Sequence, residues 1–157
     1  MTKTKAKVDY NLENVGVSNQ QFSEQVEFLW ELLKERDSSV NISHKEMPAY
    51  EKHVEFISSN PYEEMYIITN SVGDYIGDLY LSKQNEIGIF IAKAYHRQGY
   101  ASTVLKDYIE EFFESFPTQV LYANINPGNH KSKLLFESLG FELLERDKTQ
   151  DVYVLSR

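Results

Sequence analysis

Three β-rich segments follow one another in the middle of the chain, separated by only a few polar residues. Their sequences are EMYIITN, DYIGDLYLSK and NEIGIFIA, and the connectors are SVG and QN. Short polar connectors of this kind join neighbouring antiparallel strands. The segment from residue 64 to residue 92 therefore predicts a three-stranded antiparallel meander, and this meander restricts the possible folds more than any other feature.

Segments with the 3.6-residue period of an amphipathic helix lie on both sides of this meander. Upstream, Ser18 is predicted to cap the first helix, and a second helix follows Pro48. Downstream, one helix begins at Gly99 and another ends at Gly140, since glycine suits the end of a helix. Four helices are therefore predicted, two before the meander and two after it.

The remaining β-rich segments are VDYNL, QVLYANI, FELLER and DVYVLS, which complete the order β-α-α-β-β-β-α-β-α-β-β. This order predicts an α+β fold with a mixed, mostly antiparallel sheet of about seven strands flanked by four helices. The crossover between residues 86 and 124 is expected to make two strands locally parallel. Because no linker, repeat or low-complexity tract interrupts the pattern, residues 1–157 are expected to form a single domain.

The composition excludes several classes of site and partner. The 157 residues include no cysteine, so disulfides, thiolate zinc sites and a cysteine nucleophile are ruled out. The formal net charge of −8 argues against nucleic-acid binding. The four histidines show no metal-ligand spacing, so no metal is expected. No apolar run is long enough to span a membrane, and no secretory signal is visible, so a cytoplasmic location is expected.

The segment YHRQGYAS, residues 95–102, lies where the third meander strand passes into the next helix. The first turn of a helix has backbone N–H groups without internal partners and carries the positive end of the helix dipole, so it can bind phosphate. Gly99 would let a ligand approach the backbone, and Ala101 would keep the surface low. The alternative is an ordinary strand–helix turn, in which glycine is also common.

A second segment, NHKSKLLFESLGFE, predicts a helix that ends at a Gly-Phe pair and passes into a strand. Together, the two segments resemble the signature regions of the GCN5-related N-acetyltransferase (GNAT) family. The residues that match the first signature are His96, Gly99 and Ala101. Those that align with the second are Asn129, Ser132, Phe136, Gly140 and Phe141. The resemblance extends over residues 65–142.

This resemblance implies acetyl-CoA as co-substrate and direct attack of an amine on its thioester. The pantetheine arm would add to the backbone of Ile89 and Ile91, and Asn129 would hydrogen-bond it. The 3′-phosphate of CoA would meet Lys131, unless this lysine lies on a solvated helix face. The pyrophosphate would bind the turn before the helix, where the implied contacts are His96, Arg97, Gln98, Gly99, Tyr100, Ala101 and Ser102.

The resemblance also implies two catalytic groups, a base for the amine and a proton donor for the leaving thiolate. Glu86 would remove the amine proton through water, although it can also be read as a solvated edge residue. Phe136 stands where the family often has a tyrosine that protonates the leaving thiolate. Tyr122 is then the suggested hydroxyl, and the alternatives are a thiolate that leaves unprotonated or through water, or a module that binds acyl-CoA without turnover.

The acceptor expected from the resemblance is a small-molecule amine, and an amino sugar, either free or nucleotide-linked, ranks first. A protein or peptide amine ranks second, and a polyamine or aminoglycoside third. The polar segment 38–53 is expected to choose the acceptor by analogy with the family. Pairing of two copies into a homodimer is also compatible with the resemblance.

Overall fold

The structure is a computed structural model and describes residues 8–36 and 47–157. The helices are α1 (Phe22–Glu35), α2 (Tyr50–Ser58), α3 (Tyr100–Ser115) and α4 (His130–Ser138). The strands are β1 (Asn11–Asn14), β2 (Glu64–Thr69), β3 (Tyr75–Leu81), β4 (Ile87–Ile91), β5 (Leu121–Ile125), β6 (Glu142–Arg146) and β7 (Asp151–Leu155). The predicted α+β class and element order are confirmed. None of the helices in this described part is long and apolar enough to cross a membrane.

The strands form two antiparallel sheets rather than one mixed sheet. Their orders are β1-β2-β3-β4 and β5-β7-β6. Within the described residues, the sheets are joined by a parallel bridge between Glu86 and Tyr122, and the Tyr122 N–H donates to the Asn85 carbonyl at 2.9 Å. The predicted parallel crossover is therefore present only at this point. Beyond it, β4 and β5 separate and leave a gap.

The start of α1 differs from the prediction. Its N-cap is Gln21, which makes no side-chain cap hydrogen bond, so Ser18 does not cap it. Instead, the side chain of Asn19 accepts a hydrogen bond from the Gln21 N–H at 2.8 Å and closes a turn before the helix. Asparagine side chains commonly form such local turns, which compete with capping by a more distant serine.

Two cores cover opposite faces of the first sheet. The larger core includes residues of β3, β4, β5, α3 and α4, among them Ile87, Ile91, Leu105 and Leu121. The smaller one joins α1 and α2 to β2 through residues such as Leu29. Because side chains alternate along a strand, β4 presents its odd-numbered residues to the larger core and its even-numbered residues to the α1–α2 side. Side chains from both faces of the first sheet can therefore reach the gap beside β4.

Candidate active site

A cavity of about 390 Å³ lies at the gap between β4 and β5. Its walls are β4, the turn before α3, the end of β5 and the first turns of α4. The predicted cofactor residues in the lining are Ile89, Ile91, His96, Arg97, Gly99, Tyr100, Ala101, Ser102, Asn129 and Lys131. Gln98 is exposed and does not line this cavity. The fold thus brings two segments, separated by about thirty positions in the sequence, to one site.

One side of the β4 backbone faces this gap. The Ala92 N–H donates to the Ile76 carbonyl and the Ser82 N–H donates to the Glu86 carbonyl, each at 2.8 Å. The even-numbered residues therefore bond to β3, and the backbone groups of the odd-numbered residues, including Ile89, point into the gap. An extended ligand can pair with them as an added strand would.

His96 occupies part of this free edge. Its Nε2 lies 2.6 Å from the Ile91 carbonyl oxygen and donates to it, because a carbonyl can only accept. This bond links the turn to the end of β4, and it leaves Nδ1 as the ring nitrogen that can meet a ligand. For a pantetheine arm, the groups that stay available on this edge include both backbone groups of Ile89 but not the Ile91 carbonyl.

The turn before α3 contains two residues with left-handed backbone conformations, Arg97 (φ 65°) and Gly99 (φ 86°). Gly99 is the N-cap of α3, and because glycine has no side chain it cannot cap the first N–H groups of the helix. A Cβ added at Gly99 would have no heavy atom within 4 Å beyond its chain neighbours, which shows open space at this point. This geometry suits an anion bound by backbone N–H groups.

The start of α4 forms the opposite wall. The Asn129 side-chain oxygen accepts from the Ser132 N–H at 3.2 Å and caps α4, and its amide NH₂ group is left to donate to a ligand. Lys131 is exposed and lines the cavity. Lys133 instead contacts the Asp151 carboxylate and the Pro127 carbonyl, each at 2.7 Å. One of these lysines can therefore meet a phosphate, and the other holds α4 against β7.

The carboxylate predicted to act as base is half-buried beside the cavity. Burial raises the pKa of Glu86, and a hydrogen bond with the Asn124 side chain partly offsets this by lowering it. Asn124 itself lines the cavity, whereas Glu86 and Tyr122 do not. Asn124 was not singled out from the sequence, since only the alternation of β5 and its placement beside β4 bring it to Glu86.

Phe136 is buried and lines the cavity, and its ring lies 5.1 Å from that of Phe141 in an edge-to-face arrangement. At this position the cavity wall is therefore a phenyl ring and carries no hydroxyl, as the sequence predicts. The hydroxyl-bearing residues in the lining are Tyr80, Tyr95, Tyr100, Ser102 and Ser132.

On the α1–α2 side, the cavity is bounded by aromatic rings and one arginine. A Cβ at Gly88 would come 2.2 Å from the Tyr80 ring, so glycine is required for this ring to lie across β4. The Arg36 guanidinium lies 4.8 Å from the centre of the Phe90 ring and 3.5 Å from the Asp78 carboxylate. Burial raises the pKa of Asp78, whereas the charge of Arg36 lowers it. Sequence reasoning missed this group, because Arg36 follows α1 and is far from β4 in the chain.

Residues 38–46 of the predicted acceptor-selecting segment lie outside the described residues. The rest of that segment forms the approach to α2 and its first turn.

Several solved structures have the same fold at low sequence identity. A Vibrio cholerae spermidine N-acetyltransferase, solved with CoA and spermine, is 18% identical, with a TM-score of 0.70 over 92% of each chain. The ribosomal L7/L12 α-N-protein acetyltransferase RimL, solved with CoA, is 13% identical, with a TM-score of 0.71 over 96% of this chain and 95% of that one. A Methanocaldococcus jannaschii domain is 18% identical, with a TM-score of 0.73 over 94% of this chain and 98% of the other.

The curated proteins include no match to this sequence. The family comparison is more informative, because residues 20–142 match the acetyltransferase (GNAT) domain family, which covers well over half of the chain. This match confirms the family predicted from the two signature segments and, at the level of the family, an N-acetyltransferase. The chain therefore belongs to the acetyltransferase (GNAT) family.

Proposed function

We propose that this protein transfers the acetyl group of acetyl-CoA to a primary amine of a small molecule. The observation that carries the proposal is the cavity between β4 and β5, which joins an unpaired strand edge to an uncapped helix N-terminus. A long acyl thioester with a pyrophosphate needs both features, one for its pantetheine arm and one for its phosphates. The CoA complexes of the Vibrio cholerae enzyme and of RimL support this use of the fold.

In the proposed reaction, the neutral amine nitrogen attacks the thioester carbonyl carbon. A C–N bond forms, the C–S bond breaks, and backbone N–H groups of β4 stabilise the developing oxyanion. Glu86 takes the amine proton through water, with Asn124 holding its carboxylate. The thiolate takes a proton from the Tyr122 hydroxyl or from water. The products are the N-acetylated amine and CoA.

Replacement of Glu86 by glutamine is expected to lower kcat by about 100-fold, the usual contribution of a positioned base. Because burial raises the pKa of Glu86, the wild-type rate should fall with decreasing pH at a higher pH than an ordinary glutamate, of pKa about 4.3, would give. The pH profile of E86Q should lose the fall in rate that protonation of Glu86 causes. It should keep the fall that protonation of the amine substrate causes. The check is kcat/KM against pH.

The matched control is Glu142→Gln, which changes an exposed glutamate on β6. E142Q should retain the wild-type rate and pH profile. An E86Q enzyme with an unchanged profile would contradict the role of Glu86 as base.

Tyr122→Phe tests the proton donor. If Tyr122 protonates the thiolate, Y122F should lower kcat by roughly 100-fold and leave CoA affinity unchanged. The control is Tyr66→Phe, since Tyr66 lies on β2 and bonds to Glu64 rather than to the cavity. Equal kcat values for Y122F and the wild type would reject Tyr122, and Tyr80→Phe would then test a hydroxyl that does line the cavity.

The acceptor that we propose first is an amino sugar, either free or nucleotide-linked, and a protein or peptide amine is the second candidate. The fold is shared with an enzyme named for spermidine and with one named for a protein α-amine, which supports the wider class of amine acceptors. Titration with acetyl-CoA, followed by a thiol-release assay on a panel of amines, tests the proposal. Binding without thiol release on any amine would favour a non-catalytic acyl-CoA module. No binding of CoA would reject both readings.

A homodimer remains a prediction for this chain. One structure of the Vibrio cholerae spermidine N-acetyltransferase is described as dodecameric, which shows that the fold allows assembly. Light scattering of the purified protein would measure the mass of the particle in solution.

A further inference from the structure

The charges around the cavity do not follow the charge of the whole chain. The chain carries a net −8, yet the described residues of the lining include Arg36, Arg97 and Lys131 and no aspartate or glutamate. Under the proposed function, Arg97 and Lys131 lie on the side that holds the phosphates of CoA. Arg36 is not positioned to meet these phosphates, because it lies on the other side of β4.

Arg36 is placed on the acceptor side by two independent features. It follows the last residue of α1, and the Glu35 side chain there accepts a hydrogen bond from the Lys93 N–H at 2.7 Å. This bond holds the end of α1 beside the end of β4. The guanidinium then lies over Phe90, an even-numbered residue on the same face of β4 as Glu86. The arginine and the proposed base therefore lie on the same face of the sheet.

The hydrogen-bonding capacity of Arg36 is largely unused. Its side chain is only 19% exposed, and its nearest carboxylate contact, Nη2 to Asp78 Oδ1, is 3.5 Å, which is too long for a good hydrogen bond. Its Nε is buried and has no hydrogen-bond partner among the described residues. A guanidinium has five N–H donors in a planar fork that matches a carboxylate or a phosphate. Because Arg36 lines the cavity and its pair with Asp78 is long, its guanidinium can offer donors to an anionic ligand group there.

We propose that Arg36 binds an anionic group, a carboxylate or a phosphate, on the amine acceptor and thereby selects acceptors that carry one. This inference rests on the proposed function and names the acceptor class more closely. A polyamine is disfavoured, because it carries no anionic group that could bind the guanidinium. A nucleotide-linked amino sugar supplies a phosphate, and an amino acid supplies a carboxylate.

The test compares acceptors in pairs of which one member carries the anion, with kcat/KM referred to the unprotonated amine, because a neighbouring carboxylate raises the pKa of an amine. Glucosamine is compared with glucosamine 6-phosphate, alanine amide with alanine, and a nucleotide-linked amino sugar and spermine complete the panel. In the thiol-release assay, the anionic member of at least one pair should have a kcat/KM about tenfold higher or more, as expected for a charge-assisted hydrogen bond. The pair that shows the preference identifies phosphate or carboxylate as the source of the anion.

Arg36→Gln should remove this preference by raising KM for the anionic acceptor about tenfold, with little change in kcat or in KM for the neutral one. Since R36Q leaves the buried Asp78 without its cation, the double variant R36Q/D78N should show the same loss of preference even if R36Q folds poorly. The control is Arg146→Gln, an exposed arginine on β6, which should keep the wild-type preference.

Three results would overturn the inference. The first is a wild-type enzyme that uses spermine or the neutral members best, and the second is an unchanged preference in both R36Q and R36Q/D78N. The third is CoA binding without thiol release on any amine, which would reject the proposed function and this inference with it. The first two leave acetyl transfer itself intact, so the two failures are distinguishable.

Discussion

Replacing Gly99 by glutamate is expected to lower the affinity for CoA by about 100-fold or more, the scale of removing a charge-assisted anion site and adding a repelling charge. Gly99 lines the cavity at the N-terminus of α3, and open space surrounds the position of an added Cβ. A carboxylate there would enter the volume that the pyrophosphate needs and would itself occupy the positive end of the helix. Calorimetric titration with CoA measures the effect.

The control for this substitution is Gly73→Glu. Gly73 also has a left-handed backbone (φ 89°) and open space around it, and it lies in the turn between β2 and β3, away from the cavity lining. Both variants add one negative charge and incur similar backbone strain, of the order of 1–2 kcal/mol. G73E should therefore bind CoA as the wild type does. Equal affinities for G99E and G73E would show that the turn does not hold the phosphates.

Replacing Lys133 by methionine is expected to lower the free energy of unfolding by about 3 kcal/mol or more. The Lys133 ammonium is largely buried between the Asp151 carboxylate and the Pro127 carbonyl. Its removal leaves a buried carboxylate without a cation, which is costlier than losing an exposed pair. Urea denaturation followed by fluorescence measures the change. Since Lys133 holds the first turns of α4, weaker CoA binding is expected as well.

The control for Lys133 is Lys52→Met, because the pair between Lys52 and Glu55 is long (3.7 Å) and mostly exposed. K52M should change stability by less than about 1 kcal/mol. The double variant K133M/D151N removes both charges and should recover much of the lost stability, since no buried carboxylate is left unbalanced. A K133M protein as stable as K52M would contradict the structural role of this ion pair.

Much of the fold followed from local sequence patterns. The periods of two and 3.6 residues located the strands and helices, and only details such as the Ser18 cap were wrong, because the nearby Asn19 turn competes for the same backbone groups. The left-handed glycine turn proposed to bind phosphate could also be predicted locally, since its conformation depends on a few adjacent residues. The division into two sheets was not, because it depends on how strands far apart in the chain pair.

The same distinction between local sequence patterns and long-range packing applies to the site. The sequence by itself determined the family, the candidate cofactor turn at Gly99 and the absence of a hydroxyl at Phe136. Only the tertiary structure decided that Asn124 holds Glu86, that Lys133 pairs with Asp151 while Lys131 lines the cavity, and that Arg36 reaches Phe90. The physical reason is that backbone conformation and periodicity are set by near neighbours. The partner of a buried charge is instead set by which faces of distant elements the packing brings together.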